Sequence, residues 1–286
     1  MTTFRDVLKQ YEKECQKSGV YEQAALQYLL ELAQVNRMDL YEVMDQEIPE
    51  SLLVEFEPGM QRILNHEPLQ HVLGYSWFYG YKMKVNQSVL IPRPETEELV
   101  ANVLAQMDEI FDSRDPIDVV DVGTGSGAIA IAIAKEDARV TVLATDISEE
   151  ALQVAKENAT LNQAKIEFMQ GSMLQPLITH GRKVDVLISN PPYIPQEELL
   201  EKSVKEFEPH VALFGGEDGL VFYKEIIQNC HLVLKEKSFL AFEMGWNQKD
   251  ALIKMIHSFY PQLNPVVIQD MSGKDRMLFI QWEGGK

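Results

Sequence analysis

A chain of 286 residues with 45% hydrophobic and 24% charged side chains has the composition of a folded globular protein, which argues against wholesale disorder, collagen-like sequence or a repeat polymer. At this length about three quarters of the unfolded surface is buried, enough for one large domain or two smaller ones. The net charge of −18 repels a phosphate backbone unless basic residues cluster locally, and no such cluster is present.

The longest apolar run, Ala128 to Ala134, is far shorter than the roughly 18 residues of a spanning helix. The segment Met1-Thr2-Thr3-Phe4-Arg5-Asp6 carries charges rather than an apolar export region, so a cytoplasmic protein without a membrane span is expected. Cys15 and Cys230 fall on what read as packed helix faces and are expected to be structural thiols.

The first 70 or so residues read as helices only. Thr3 and Asp6 form an approximate capping box, Phe4, Val7, Leu8, Tyr11 and Cys15 follow at helical spacing, and Gly19 can end the helix. Further apolar-periodic stretches run from about Gln23 to Val35, Asp39 to Met44 and Pro49 to Leu64. The pattern is that of a small helical bundle.

From Trp77 to Val85 the residues alternate, Asn86-Gln87-Ser88 supplies a turn and Val89-Leu90-Ile91 returns, which predicts a hairpin that could connect two domains. A helix is expected from Pro92 or Pro94 to about Phe111, with Glu95, Glu97 and Glu98 where the helix dipole favours acids. After Pro116, short β-branched runs alternate with helical segments, as in a parallel sheet with crossover helices. Strands are expected at Ile117–Val122, Val140–Thr145, Lys165–Met169, Val184–Ser189, Ser238–Phe242, Pro265–Gln269 and Met277–Gln281, which suits a doubly wound sheet.

Two segments carry chemistry. Gly123, Thr124, Gly125, Ser126 and Gly127 follow Asp121-Val122 at the end of the first of these strands and lead into a helix. Glycines there turn the backbone sharply and admit a ligand to the main chain at the positive end of the helix. Asp146 ends the next strand, where a carboxylate can accept hydrogen bonds from ribose hydroxyls. The loop alone leaves the ligand open between a nicotinamide dinucleotide and S-adenosylmethionine, because Gly123, Gly125 and Ala128 also satisfy the dinucleotide pattern.

The second segment is Asn190-Pro191-Pro192-Tyr193, at the end of the fourth strand. In an open parallel sheet the crevice lies beyond the carboxyl ends of the strands, so this segment and the glycine loop should face one pocket. The prolines fix φ and remove two N–H donors, leaving the Pro191 carbonyl and the Asn190 amide oxygen as acceptors. An acceptor pair suits a planar –NH2 group, whose nitrogen would then be aimed at the methyl carbon of S-adenosylmethionine. Tyr193 is expected to pack against the flat substrate group and exclude water. Such a reaction requires neither a metal nor a covalent intermediate.

With these segments in place, the chain resembles the HemK/PrmC family, the protein-(glutamine-N(5)) methyltransferases of peptide chain release factors. The resemblance also covers Glu67-Pro68 to Gly74, Leu90 to Glu97, Glu208-Pro209, Ala212 to Leu220, Glu243-Met244-Gly245 and Asp270 to Arg276. It implies an α/β fold: a seven-stranded class I S-adenosylmethionine-dependent methyltransferase (Rossmann-like) domain at 94–286, preceded by a helical substrate-binding domain at 1–75 and a hairpin connector at 76–93.

The resemblance further implies that Gly123 to Gly127, Asp146, Met173 and Asn190 contact S-adenosylmethionine. Asn190, Pro191, Pro192 and Tyr193 would hold a glutamine side chain, that of the Gly-Gly-Gln loop of a release factor, with Asn190, Pro191 and Tyr193 serving catalysis. Relatives commonly carry an acid and an aromatic residue near the adenine, where this chain has Ser172 and Met173. Met173 would cover an adenine face.

Other residues are less telling. Arg93, Glu95 and Glu97 read as packing residues, and Glu243, although it ends a strand near the pocket, is left outside the catalytic set because amide methylation does not obviously need a base before transfer. His66, His71, His180, His210, His231 and His257 show no metal spacing. The loop from Phe214 to Gly219 is either a flexible cover or a turn into the next helix. A nucleic-acid amino methyltransferase acting on adenine N6 or cytosine N4 is the rival enzyme, but 8 basic against 13 acidic side chains through Leu90 make a poor footprint for DNA. A non-catalytic S-adenosylmethionine-binding module is the rival of a different class, and a nicotinamide dehydrogenase gives no reason for Asn190 to Tyr193. A monomer that binds no nucleic acid directly is expected.

Overall fold

The Thr3 capping box forms as the sequence predicts. In the computed structural model, which describes residues 2–34 and 37–284, the Thr3 hydroxyl accepts from the Asp6 N–H at 3.2 Å and the Asp6 carboxylate accepts from the Thr3 N–H at 3.1 Å. Helix α1 (Phe4–Ser18) then ends on Gly19, whose φ of 70° is left-handed. Helices α2 (Ala24–Ala33), α3 (Arg37–Val43) and α4 (Glu50–Leu64) follow the predicted periodicity; Val35, at the end of the predicted second helix, lies outside the described residues.

A further helix, α5 (Leu69–Leu73), is too short to show a period and is marked instead by Pro68 before it and Gly74 after it. Phe56 is fully buried between Tyr11, edge-on at 5.3 Å, and Tyr28, stacked at 5.4 Å. That packing explains Gly59 inside α4, since a Cβ there would lie 2.0 Å from the Tyr28 hydroxyl. These helices, with residues through Tyr75 and Leu200–Phe207, make one compact unit; the rest of the chain makes a second.

The hairpin is displaced from its predicted position. Its strands are β1 (Tyr75–Phe78) and β2 (Tyr81–Lys84), so the turn falls at Tyr79-Gly80 inside the alternating run, and Val89–Ile91 forms no strand among the described residues. Tyr79 and Gly80 both have positive φ, 51° and 78°, as a tight two-residue turn requires. Asn86-Gln87-Ser88 turns on its own, with the Asn86 side chain accepting from the Ser88 N–H at 2.9 Å, but it does not reverse a strand.

Apart from Leu200–Phe207, the described residues from Ser76 on belong to the second unit. There helix α6 (Pro94–Ile110) precedes alternating elements: β3 (Ile117–Val122), α7 (Ala128–Glu136), β4 (Val140–Asp146), α8 (Glu149–Leu161), β5 (Ile166–Gln170), α9 (Gln175–Thr179) and β6 (Val184–Ser189). After α10 (Lys202–Phe207) in the first unit come α11 (Val221–Asn229), β7 (Leu234–Glu243), α12 (Lys249–Phe259), β8 (Val266–Gln269) and β9 (Asp275–Glu283).

The seven strands form one sheet in the order β5-β4-β3-β6-β7-β9-β8. It is mixed rather than wholly parallel: β9 runs antiparallel to both β7 and β8. No helix separates β8 from β9, only a turn in which Asp270 accepts from the Ser272 and Lys274 N–H groups and Gly273 has φ 75°.

Alternate side chains of each central strand enter different cores. Val119, Val186, Ile188, Phe239, Ala241 and Phe279 pack under α6 and α7. Val120, Val122, Leu187, Leu240, Phe242 and Leu278 pack under α11 and α12. Burial on both faces is why these strands read as continuous apolar runs. The register levels their carboxyl ends, Val122 lying opposite Thr145 and Ser189, and Ser189 opposite Phe242. The loop after β3, Asp146, the segment after β6 and Glu243 therefore emerge side by side.

Candidate active site

The glycine loop is shaped by its own backbone. Gly123, Gly125 and Gly127 all have positive φ, and the Gly123 and Thr124 N–H groups both donate to the Thr145 carbonyl at 2.9 Å. A Cβ built on Gly123 or Gly125 meets nothing within 4 Å, so both border open space that a ligand can occupy. Gly127 has a different reason: it begins α7 against α8, and its Cβ would lie 3.1 Å from that of Ala155.

Two buried side chains hold the loop from below. Asp121 accepts from the Thr124 hydroxyl at 2.6 Å and the Ala130 N–H at 3.2 Å, while its other oxygen is buried without a hydrogen-bond partner. Burial lifts this carboxyl to about 7 against those two bonds. Asn158 on α8 donates to the Ser126 carbonyl at 2.9 Å and exchanges two hydrogen bonds with the Lys84 backbone, tying the hairpin to the loop.

Asp146 is oriented by its surroundings. Its two oxygens accept from the Gly125 N–H and the Ser148 N–H, each at 2.9 Å. Each oxygen keeps a further lone pair for a hydroxyl, as a ribose would need. Burial raises this carboxyl's pKa while the backbone N–H groups oppose the rise.

One cleft joins the predicted residues. Gly123, Thr124, Gly125, Ser126, Asp146, Met173 and Asn190 all line it, with Ile147, Leu90 and Phe222 as apolar walls. Gly127 does not; it serves the helix packing below. Met173 lines the cleft with φ 43°, and neighbouring Ser172 reaches Glu225 on α11 at 3.4 Å. The apolar walls, the open glycine edges and the Asp146 acceptor fit the adenosyl and ribose parts of S-adenosylmethionine.

The Asn190–Tyr193 segment divides between cleft and core. Asn190 and Pro192 line the cleft, Pro191 is buried, and Tyr193 packs against the core under α11 and α12. The Tyr193 hydroxyl donates to Glu243 at 3.4 Å, which anchors the far end of the ring. Burial raises the pKa of this hydroxyl, as does the neighbouring Glu243 carboxylate.

The loop after Phe214 is neither a cover nor a simple turn. Ile194 pairs with Phe214, donating to the Leu213 carbonyl at 3.0 Å and accepting from the Gly215 N–H at 2.9 Å. A Cβ on Gly215 would fall 2.5 Å from the Pro192 carbonyl oxygen, and one on Gly219 2.2 Å from that of Tyr193. The glycines let this loop lie directly on the bend. Gln248 completes the clamp by donating to the Tyr193 carbonyl at 2.9 Å.

Several residues that the sequence reading left outside the site are joined to it by hydrogen bonds. Asn190 Nδ2 donates to the Thr96 hydroxyl at 3.2 Å, and that hydroxyl donates to Glu243 at 2.6 Å. Glu243 is buried, which raises its pKa against the Thr96 bond and the nearby Arg276. Arg93 lines the cleft and ion-pairs with buried Glu208, which also accepts from the Ile91 N–H at 3.1 Å. Glu97, by contrast, accepts from the Tyr79 N–H at 2.9 Å and serves hairpin packing. Glu243 and Thr96 come together only because β7 ends beside the first turn of α6, which spacing cannot reveal.

Among the described residues no group of three or more His, Cys, Asp and Glu side chains is placed to hold a metal, and no helix is long and apolar enough to cross a membrane. Cys15 and Cys230 are both buried and unpaired by disulfide.

Residues 6–74 match the model of the PrmC N-terminal domain and residues 101–237 that of the methyltransferase small domain. A release factor glutamine methyltransferase of Bacillus cereus is 40% identical over 280 residues, covering 97% of this chain and 99% of its own. The protein of that name from Staphylococcus aureus is 37% identical over 284 residues, covering 99% of this chain and 100% of its own. A methyltransferase crystal structure from Pyrococcus furiosus shares the fold at a TM-score of 0.53 and 18% identity, covering 79% of this chain and 98% of its own.

Proposed function

The chain belongs to the release factor glutamine methyltransferase family, S-adenosylmethionine-dependent enzymes that methylate a protein glutamine, and on that premise we propose that Asn190 and Pro191 hold the reacting carboxamide. The observation that carries this assignment is the Asn190 hydrogen bond to Thr96. It uses the –NH2 end of the Asn190 side chain, so Oδ1 is left as an acceptor beside the cleft.

When bound, S-adenosylmethionine supplies a methyl group on a sulfonium centre. The chain's part is to place a nucleophile in line with it. Oδ1 of Asn190 and the Pro191 carbonyl would take the two hydrogens of the glutamine –NH2, fixing the plane of the amide so that its nitrogen faces the methyl donor. The same two oxygens would stabilise positive charge that develops on nitrogen as its bond to the methyl carbon replaces the carbon–sulfur bond, with S-adenosylhomocysteine as the leaving group and the surplus amide hydrogen passing to water as a proton. Gly123 and Gly125 admit the donor to the backbone, Asp146 takes ribose hydroxyls, and Met173 covers the base. The bend is held rigidly by Gly215, Gly219 and Gln248, so its acceptors need little reorganisation during transfer.

The substrate we assign is the glutamine of the Gly-Gly-Gln loop of a peptide chain release factor, gripped in part by the N-terminal helices, with the enzyme acting as a cytoplasmic monomer. The charge of −18 favours a protein over a nucleic acid as substrate. Incubation of purified release factor with the enzyme and S-adenosylmethionine should add one methyl group to the tryptic peptide that contains Gly-Gly-Gln, read by mass spectrometry. Transfer to an oligonucleotide instead, with the peptide unchanged, would overturn the assignment.

A further inference from the structure

An asparagine carboxamide can be turned end for end at almost no cost in shape, yet only one orientation offers oxygen to a bound –NH2 group. Packing cannot choose between the two; a hydrogen bond with a defined direction can. We propose that Glu243 and Thr96 are positioning residues that together fix which end of Asn190 faces the substrate, an inference that rests on the glutamine-binding role given to Asn190 above.

The direction is set at Glu243. Both of its carboxylate oxygens receive donors, Oε2 from the Thr96 hydroxyl at 2.6 Å and Oε1 from the Tyr193 hydroxyl at 3.4 Å, and a carboxylate has only acceptor sites. A threonine hydroxyl has a single hydrogen. With that hydrogen given to Glu243, the Thr96 oxygen can only accept on its other side, so Asn190 must present Nδ2 to it at 3.2 Å. Oδ1 is thereby turned the other way.

The relay is built firmly. Thr96 is 5% and Glu243 2% exposed, so Glu243 meets its donors away from solvent while Thr96 borders the cleft beside Asn190. Thr96 sits in the first turn of α6, two residues after Pro94, and Glu243 is the last residue of β7, where the Tyr223 hydroxyl donates to its backbone carbonyl at 2.7 Å. Neither Thr96 nor Glu243 touches the reacting amide in this scheme; both act through Asn190.

Thr96→Val keeps the shape of the side chain and removes the hydroxyl. Loss of an outer partner of this kind should lower single-turnover methyl transfer to release factor by about 10- to 100-fold. Cofactor affinity measured by calorimetry should change by less than about threefold, and Thr96→Ser should restore most of the rate.

A double-mutant cycle with Asn190→Ala separates positioning from general packing. Once Asn190 is gone, Thr96→Val should cost nothing further. An equal rate loss in both backgrounds, a matching loss of cofactor affinity or an unchanged rate would each overturn the relay. Should Thr96→Val fail to fold, Thr96→Ala carries the same comparison. Wild-type enzyme that leaves release factor unmethylated would instead refute the underlying assignment, so the two failures are distinguishable.

Discussion

The two halves of the cleft are built on different principles. The glycine loop carries its shape in consecutive residues, three of positive φ and an aspartate three residues before Thr124, and its outside partners Thr145, Asp146 and Asn158 all come from the strand and helix that follow next in the chain. The Asn190 bend is held from far away in sequence, by Thr96, by the Gly215–Gly219 loop, by Glu243 and by Gln248. A site for a common cofactor can be written in consecutive residues, whereas the aim of a single acceptor atom requires support from several elements.

This contrast predicts that damage to the bend impairs transfer and damage to the loop impairs cofactor binding. The largest effect belongs to Asn190→Ala, which should lower kcat by an amount worth about 3 kcal/mol of transition-state stabilisation while S-adenosylmethionine affinity falls less. Equal losses in both would mean that Asn190 merely shapes the cofactor site, and the distinction between the two halves would fail.

Gly219→Ala comes next. Its φ of 75° and the 2.2 Å approach to the Tyr193 carbonyl should together cost about 2 to 3 kcal/mol in denaturant unfolding and displace the bend. Residual folded enzyme should bind cofactor normally and transfer poorly. Gly127→Ala tests the other half: a left-handed φ of 83° and close contact with Ala155 should cost about 1 to 2 kcal/mol, with weaker cofactor binding as the main functional loss.

The smallest effect is a pH dependence. Burial lifts Asp121 to about 7, so the folded protein holds this proton more tightly than the unfolded chain does. Stability from that preference is complete below about pH 4 and is lost as pH rises through about 7. Asp121→Asn removes it, and the variant's Tm should gain on the wild type by a few degrees between about pH 5 and pH 8. A gap that stays constant with pH would show that Asp121 carries no buried proton.

The same contrast explains what could be read from the sequence. The capping box at Thr3, the seven strands and the glycine loop were legible because each depends on neighbours within a few residues, or on burial of both sheet faces. The hairpin was misplaced because Tyr79 carries a positive φ that residue type does not announce, while Asn86 suggested a reversal that proved to be only a local turn. The antiparallel β9 was hidden because an apolar strand reads alike in either direction. In the site, Asn190 stood out by its prolines, but Thr96 and Glu243 lie 94 and 147 residues from their hydrogen-bond partners Asn190 and Thr96, a separation only the fold closes.

A crystal structure with S-adenosylhomocysteine and a Gly-Gly-Gln peptide would show whether Asn190 and Pro191 grip the reacting amide. The glutamine nitrogen should then lie within hydrogen-bond distance of both Asn190 Oδ1 and the Pro191 carbonyl oxygen, and face the thioether sulfur. A glutamine bound elsewhere in the cleft, or an Asn190 that turns its nitrogen to the peptide, would contradict that arrangement.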